Sequence, residues 1–359
     1  MENNRLKLKI RDIRNALNKG LVGREEEVSL VLLAMLCREN IILIGKPGTA
    51  KSEMSRRVEK CLPLESSYFE YLLTKFTTPE EIFGGISIPK LKEGKQERMI
   101  EGYLASAHVG FLDEIFKANS SILNSLLTIA NERIYHDGSR KIKTPLRIIV
   151  GASNELPTEE ELEALYDRFV FRKEVLPVSD DKIIELLESN TEDFKITKDL
   201  RFTFEELEAI DQNSKSVEMG RDALELLRDI RKEVNKYYIQ KGEDNNISDR
   251  KMKKIEKILK VSAYTNGRTE VNKSDFYVLE NILWDKLEDR LELKEILKNL
   301  LNNRNFTLKE DLKKEMYSEI CKLLKEYGNE GTKGINLNNL KKDNQMELNE
   351  MKDNIWIIG

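Results

Sequence analysis

The sequence predicts an α/β protein in which a parallel sheet flanked by helices is followed by an all-α lid and a short helical C-terminal extension. Three observations carry this expectation. Short apolar runs alternate with helical patterns through the first half, as a sheet covered on both faces requires. Strand signals stop near Ser179, and Leu, Ile, Lys and Glu then recur at helical spacing. The 359 residues, 40% of them hydrophobic, suffice for two or three cores rather than one. The organisation expected is an α/β core over residues 1–178, a helical lid over 179–300 and a helical extension and tail over 301–359.

In chain order, the first buried strand is Ile41 to Ile44 and a weaker one is Tyr68 to Leu72. Val109 to Leu112 and Leu146 to Val150 follow, and a fifth strand spans Val170 to Val175. Between them, helices with an apolar stripe are expected at Arg24 to Arg38, Lys51 to Cys61 and Ser120 to Asn131. Two stretches stand outside such a core. Phe76 to Gly102 holds Pro79, Gly84, Gly85, Pro89, Gly94 and Gly102 and reads as loops and short pieces inserted after a strand. Residues 133–143 centre Asp137-Gly138 between alternating residues, as a β-hairpin does. In the second half, helices are expected at Arg221 to Asn235 and Asp249 to Tyr264, with a polar gap from Lys241 to Asn246. The apolar run Ile355 to Gly359 receives no assignment.

Lys plus Arg (60) nearly balances Asp plus Glu (64), so no net field draws the chain toward nucleic acid or anionic membrane. Cys37, Cys61 and Cys321 match no metal-ligand or CxxC spacing and read as reduced and structural. The histidines, His108 and His136, have no matching partners for a triad or a metal centre, and His108 is expected to pack beside the strand that follows it. The N-terminus is too polar for a signal peptide, and no apolar run reaches the roughly 20 residues of a membrane span. A cytoplasmic protein without stable membrane insertion is expected.

Chemistry enters where the first strand runs into Gly45-Lys46-Pro47-Gly48-Thr49-Ala50-Lys51-Ser52 and a helix begins at Lys51. Glycines let such a loop wrap β- and γ-phosphates with its N–H groups inward, over a helix N-terminus. Lys51 would neutralise phosphate charge and the Ser52 hydroxyl would ligate magnesium, so ATP and Mg2+ are the expected ligands. Ala50 stands where the pattern G-x-x-x-x-G-K-[ST] has its last glycine, and the stretch alone also fits a tight turn with an incidental lysine. The second motif decides between them. Val109 to Leu112 ends in Asp113-Glu114, at the strand edge where ligands bind in such sheets. Asp113 would hold magnesium through its water shell, and Glu114 would orient or deprotonate the attacking water.

The strand ending at Val150 leads to Asn154, whose amide could reach the γ-phosphate or the lytic water, the role called sensor 1. Arg168, in Leu165-Tyr166-Asp167-Arg168-Phe169, suits a neighbouring molecule's nucleotide as an arginine finger; the plain alternative is an ion pair with Asp167. Two arginines compete for a lid contact with the γ-phosphate, the sensor 2 role. Arg268, at the junction after Ser262 to Gly267, is favoured over Arg250, which follows the cap Ser248. Val22-Gly23 either packs the adenine or simply enters the first core helix. The basic run Arg250-Lys251-Met252-Lys253-Lys254 reads as a solvated helix face.

The ordered set of motifs resembles the MoxR group of AAA+ ATPases, and within it most closely the RavA subfamily, over about residues 10 to 290. The specific pieces are Gly48-Thr49-Ala50-Lys51-Ser52, where alanine before the lysine is usual for the group, Phe76-Thr77-Thr78-Pro79-Glu80-Glu81-Ile82-Phe83-Gly84 and Phe111 to Ala118. Ala152 to Pro157, Ala164 to Arg168 and Ile247 to Arg250 complete it. The resemblance implies a P-loop AAA+ core with Walker A and B motifs, working as a homo-hexamer. It implies a chaperone-like ATPase that remodels a protein client, often with a von Willebrand factor A domain partner. It also implies that residues 76–102 are the insert in the second core helix, and that this insert and the hairpin face the pore. RavA-like chains continue into a discontinuous helical region with a small β-domain, and this extension is expected to be missing or reduced here.

Two other classes compete with an ATP-driven remodelling motor. A nucleic-acid motor is disfavoured by the charge balance, a pI near 5.7 and the lack of a helix-turn-helix or zinc module. A nucleotide-gated scaffold with little turnover would have no need of both Glu114 and Arg168.

Overall fold

The computed structural model describes residues 2–138, 140–189, 194–243 and 246–303. The expected extension and tail, with Cys321 and Ile355 to Gly359, lies outside the described residues apart from its first three positions. The chain runs α1 (Glu2–Asn18), α2 (Glu25–Cys37), β1 (Asn40–Ile44), α3 (Lys51–Lys60), β2 (Tyr68–Leu72), α4 (Pro79–Phe83), α5 (Ile88–Lys92), β3 (Val109–Asp113) and α6 (Ser120–Glu132). There follow β4 (Ile134–Asp137), β5 (Arg140–Lys143), β6 (Ile148–Ser153), α7 (Glu160–Tyr166), β7 (Phe169–Glu174) and α8 (Ile183–Glu188). The helices α9 (Phe204–Asn213), α10 (Arg221–Gln240), α11 (Asp249–Thr265) and α12 (Arg290–Asn302) complete the chain.

Five strands pair in parallel in the order β2-β3-β6-β1-β7. The central strands β1 and β6 are buried at every position, whereas the edge strand β2 alternates. Burial on both faces explains why the central strands read as unbroken apolar runs. The order sets β6 between β1 and β3, so the residues that follow these three strands emerge side by side. The buried Asn40 fixes this register: its amide donates to the carbonyls of Ala130 (2.9 Å) and Arg168 (3.1 Å) and accepts from the Ile149 N–H at 3.1 Å.

Two helices depart from the sequence expectation. α1 was not anticipated, yet Ile10, Ile13 and Leu17 recur at helical spacing and are fully buried. α2 has no solvent stripe, since every residue from Glu27 to Cys37 is buried between the sheet and the α1 and α11 layer. The 76–102 stretch and the β4–β5 hairpin touch one another. Asp137, 3% exposed, accepts the Arg98 N–H on both carboxylate oxygens at 3.1 Å, and Arg140 bonds Glu97 at 2.9 Å. The insert is thus docked on the β4–β5 hairpin.

The second half is helical, and it docks at the end of the sheet where the strands begin. Glu39, just before β1, takes Lys254 at 3.1 Å and Lys257 at 2.8 Å, both from α11. Arg147, just before β6, takes Asp211 of α9 at 2.8 Å. Among the described residues no helix is long and apolar enough to cross a membrane.

Candidate nucleotide site

The loop after β1 is shaped by backbone requirements that the sequence meets residue by residue. A Cβ on Gly45 would fall 2.2 Å from the Val175 carbonyl oxygen, and Val175 donates to Ile44 O at 2.7 Å, so glycine is needed to keep β7 against the loop. Gly48 has φ +82° and open space around it, as a residue facing a ligand would. Ala50 also has positive φ, 63°, at the N-cap position just before α3. The departure from glycine is therefore a real left-handed alanine, which costs on the order of 1 kcal/mol. Ala50→Gly is expected to stabilise the nucleotide-free protein by up to about 1 kcal/mol, a rise of about 1–3 °C in thermal midpoint. A fall of that size in a thermal melt would show that the methyl packs usefully.

Lys51 is 8% exposed and its ammonium is folded into the loop, donating to the carbonyls of Gly45 (2.6 Å) and Lys46 (2.9 Å). Burial pushes it below the usual lysine range, and Asp113 and Glu114 pull it back. Those carbonyls occupy donors that a phosphate would take, so the cradle fits the phosphates of a nucleotide. Ser52 follows on the first turn of α3, and Asp113 closes β3. These are the residues that would hold Mg2+, which would neutralise phosphate charge there.

Glu114 is likewise held with positive φ, 51°. Its carboxylate accepts from the Asn154 amide at 2.7 Å and faces Lys117 at 3.4 Å. The strand order brings Glu114 and Asn154 together from different strands. Lys117 was not singled out in the sequence; its place three residues after Glu114 was the available signal. Val22 is buried, and Gly23 (φ +64°) lies beside Val178 and Lys182, which follow β7 at the same end of the sheet.

The arginines lie elsewhere. Arg168 precedes β7 and its carbonyl is held by Asn40, so it sits at the opposite end of the strands from its own loop. Its guanidinium pairs with Asp167 at 2.9 Å, and its Nε has no acceptor among the described residues. Arg250 lines a small open recess with Asp167, Arg172, Lys251 and Lys254. Arg268 is not brought to the loop: it is bidentate to the buried Asp275 at 2.6 and 2.7 Å, within the lid. The basic run is not a uniformly solvated face. Lys253 is 83% exposed, but Lys251 turns inward to share Asp285 with Arg172, and Lys254 turns to Glu39. Burial, and then the Arg172 guanidinium, hold the Lys251 ammonium well below the ordinary lysine range against Asp167.

Comparison with known proteins agrees with this fold. Residues 8–212 match the model of the MoxR domain in the MoxR-vWA-beta-propeller ternary systems, and residues 222–297 match an AAA lid domain. The chain is 41% identical over 285 residues to a protein of Methanocaldococcus jannaschii named only as uncharacterized, covering 79% of this chain and 72% of that one. It is 27% identical over 157 residues to the chaperone MoxR1 of Mycobacterium tuberculosis, covering 42% of this chain and 40% of that protein. In fold it is similar to the crystal structure of a candidate ATPase from Cytophaga hutchinsonii, with a TM-score of 0.66 at 18% identity over 85% of this chain and 97% of that one.

Proposed function

The chain belongs to the MoxR family of AAA+ ATPases, and on that premise we propose that it hydrolyses ATP as a homo-hexameric ring that remodels or matures a protein client in the cytoplasm. The observation that carries the reading is the convergence of the Lys51 cradle, Asp113 and the Glu114–Asn154 pair at one sheet edge. Arg168 at the far end of the same strands supports a ring, because a finger there serves another molecule's nucleotide. Arg250, beside Asp167, is the lid arginine we assign to that shared site, in preference to Arg268, which Asp275 already holds. A von Willebrand factor A domain protein is the proposed partner, supported by the ternary systems for which the matching model is described. The RavA likeness is a finer proposal that rests on the motifs. The insert and the hairpin are proposed to touch the client.

The reading is tested by measuring ATP turnover per subunit against protein concentration, with mass in solution recorded under the same nucleotide. Turnover that rises as the chain assembles is expected. Constant turnover from a monomer would replace the ring with a single-molecule nucleotide switch.

A further inference from the structure

Among the α-helices of the described residues, α5 and α8 bury no residue. They carry or adjoin much of the exposed apolar surface: Ile88 and Leu91 are 66% and 53% exposed, and Ile184 and Leu187 are 66% and 79% exposed. Helices of five or six residues hold their shape in water only when packed, and apolar faces of this kind mark contact sites. The two helices also match. α5 presents Ile88, Leu91 and Lys92 at positions i, i+3 and i+4, and α8 presents Ile184, Leu187 and Glu188 at the same spacing. Around them the net charges are opposite: Lys90, Lys92 and Lys95 flank the α5 face, where Lys90 (3.3 Å) and Lys95 (3.8 Å) share Glu93, whereas Asp180, Asp181, Glu185 and Glu188 outnumber Lys182 around that of α8. None of these four acids has an ion pair among the described residues, and neither does Lys92.

Their placement forbids a contact within one molecule. α5 belongs to the insert after β2 and is tied through Arg98 to the hairpin, while α8 follows β7 and lies near Gly23; β2 and β7 are the opposite edges of the sheet. Different patches on opposite edges that complement each other make a head-to-tail interface, which closes into a ring when the rotation allows. We propose that α8 of one molecule docks on α5 of the next, apolar face to apolar face, with the α8 acids against the insert lysines. The inference rests on the ring reading and names the surface that builds the ring. It leaves the hairpin, with the exposed Lys141 and Lys143, and the rest of the insert for a client.

The test is a charge swap. Glu185→Lys with Glu188→Lys, and separately Lys90→Glu with Lys92→Glu, are each expected to raise the concentration for half-assembly with ATP by about tenfold or more. The variant carrying all four changes is expected to return toward the parent, which a merely misfolded double variant could not do. As a second measurement, Leu187→Cys and Leu91→Cys chains mixed under mild oxidation are expected to give a crosslinked dimer. Assembly indifferent to both reversals, no recovery in the fourfold variant, or no crosslink would overturn the interface while leaving the ring intact. A parent chain that never assembles would instead overturn the ring reading itself.

Discussion

Glu114→Gln is expected to bind ATP about as well as the parent and to turn it over about 10²–10³-fold more slowly, the range for losing a positioned general base. The reason is local. Glu114 is held with φ 51°, a conformation that points its side chain from the end of β3 across to Asn154 at 2.7 Å. A glutamine keeps the size and an oxygen to accept that amide, so the loop and Lys51 are undisturbed. It lacks the charge that would take a proton from water. Lys51→Ala should behave differently, losing ATP binding itself, because the buried ammonium is the only cation folded into the cradle among the described residues. Fluorescent-nucleotide titration with single-turnover hydrolysis separates the two. Equal turnover in Glu114→Gln and the parent would remove Glu114 from the chemistry.

What the sequence disclosed here was what local constraints determine. β1, the loop after it and Asp113-Glu114 were legible because apolar runs ending in glycine or acids have few other uses, and the elements fall within a few residues of their expected places. The Ala50 departure was legible too, and its positive φ explains why glycine is the common choice there. The docking of the helical second half was not, because it depends on Glu39 with Lys254 and Lys257, and on Asp211 with Arg147, pairs far apart in sequence that have no local signature. The same long-range contacts turned Lys251 and Lys254 inward from a run that reads as solvent-facing. Arg268 was closer to reach. Asn272 and Asp275 form a capping box, and a carboxylate fixed seven residues after an arginine can hold it.

Arg168→Ala is expected to reduce turnover by about 10³-fold or more, the lower end of what a finger supplied by a neighbour contributes in well-studied GTPases, without weakening ATP binding. Arg168 follows α7 at the amino end of β7, its guanidinium has only Asp167 as a partner among the described residues, and its carbonyl is pinned by Asn40, so the variant removes no described contact that supports its own cradle. The decisive form of the experiment mixes two inactive chains. A Glu114→Gln molecule still carries Arg168, and an Arg168→Ala molecule still carries Glu114. In a head-to-tail ring assembled from equal amounts, a site is complete when an Arg168→Ala molecule is followed by a Glu114→Gln neighbour, so about one quarter of parental turnover should return. If each arginine served the nucleotide of its own chain, no arrangement of the two could restore a site, and the mixture would stay as inactive as its parts. Recovery therefore assigns the finger to the neighbour by counting, with no appeal to resemblance, and its absence places Arg168 in the plain ion pair with Asp167.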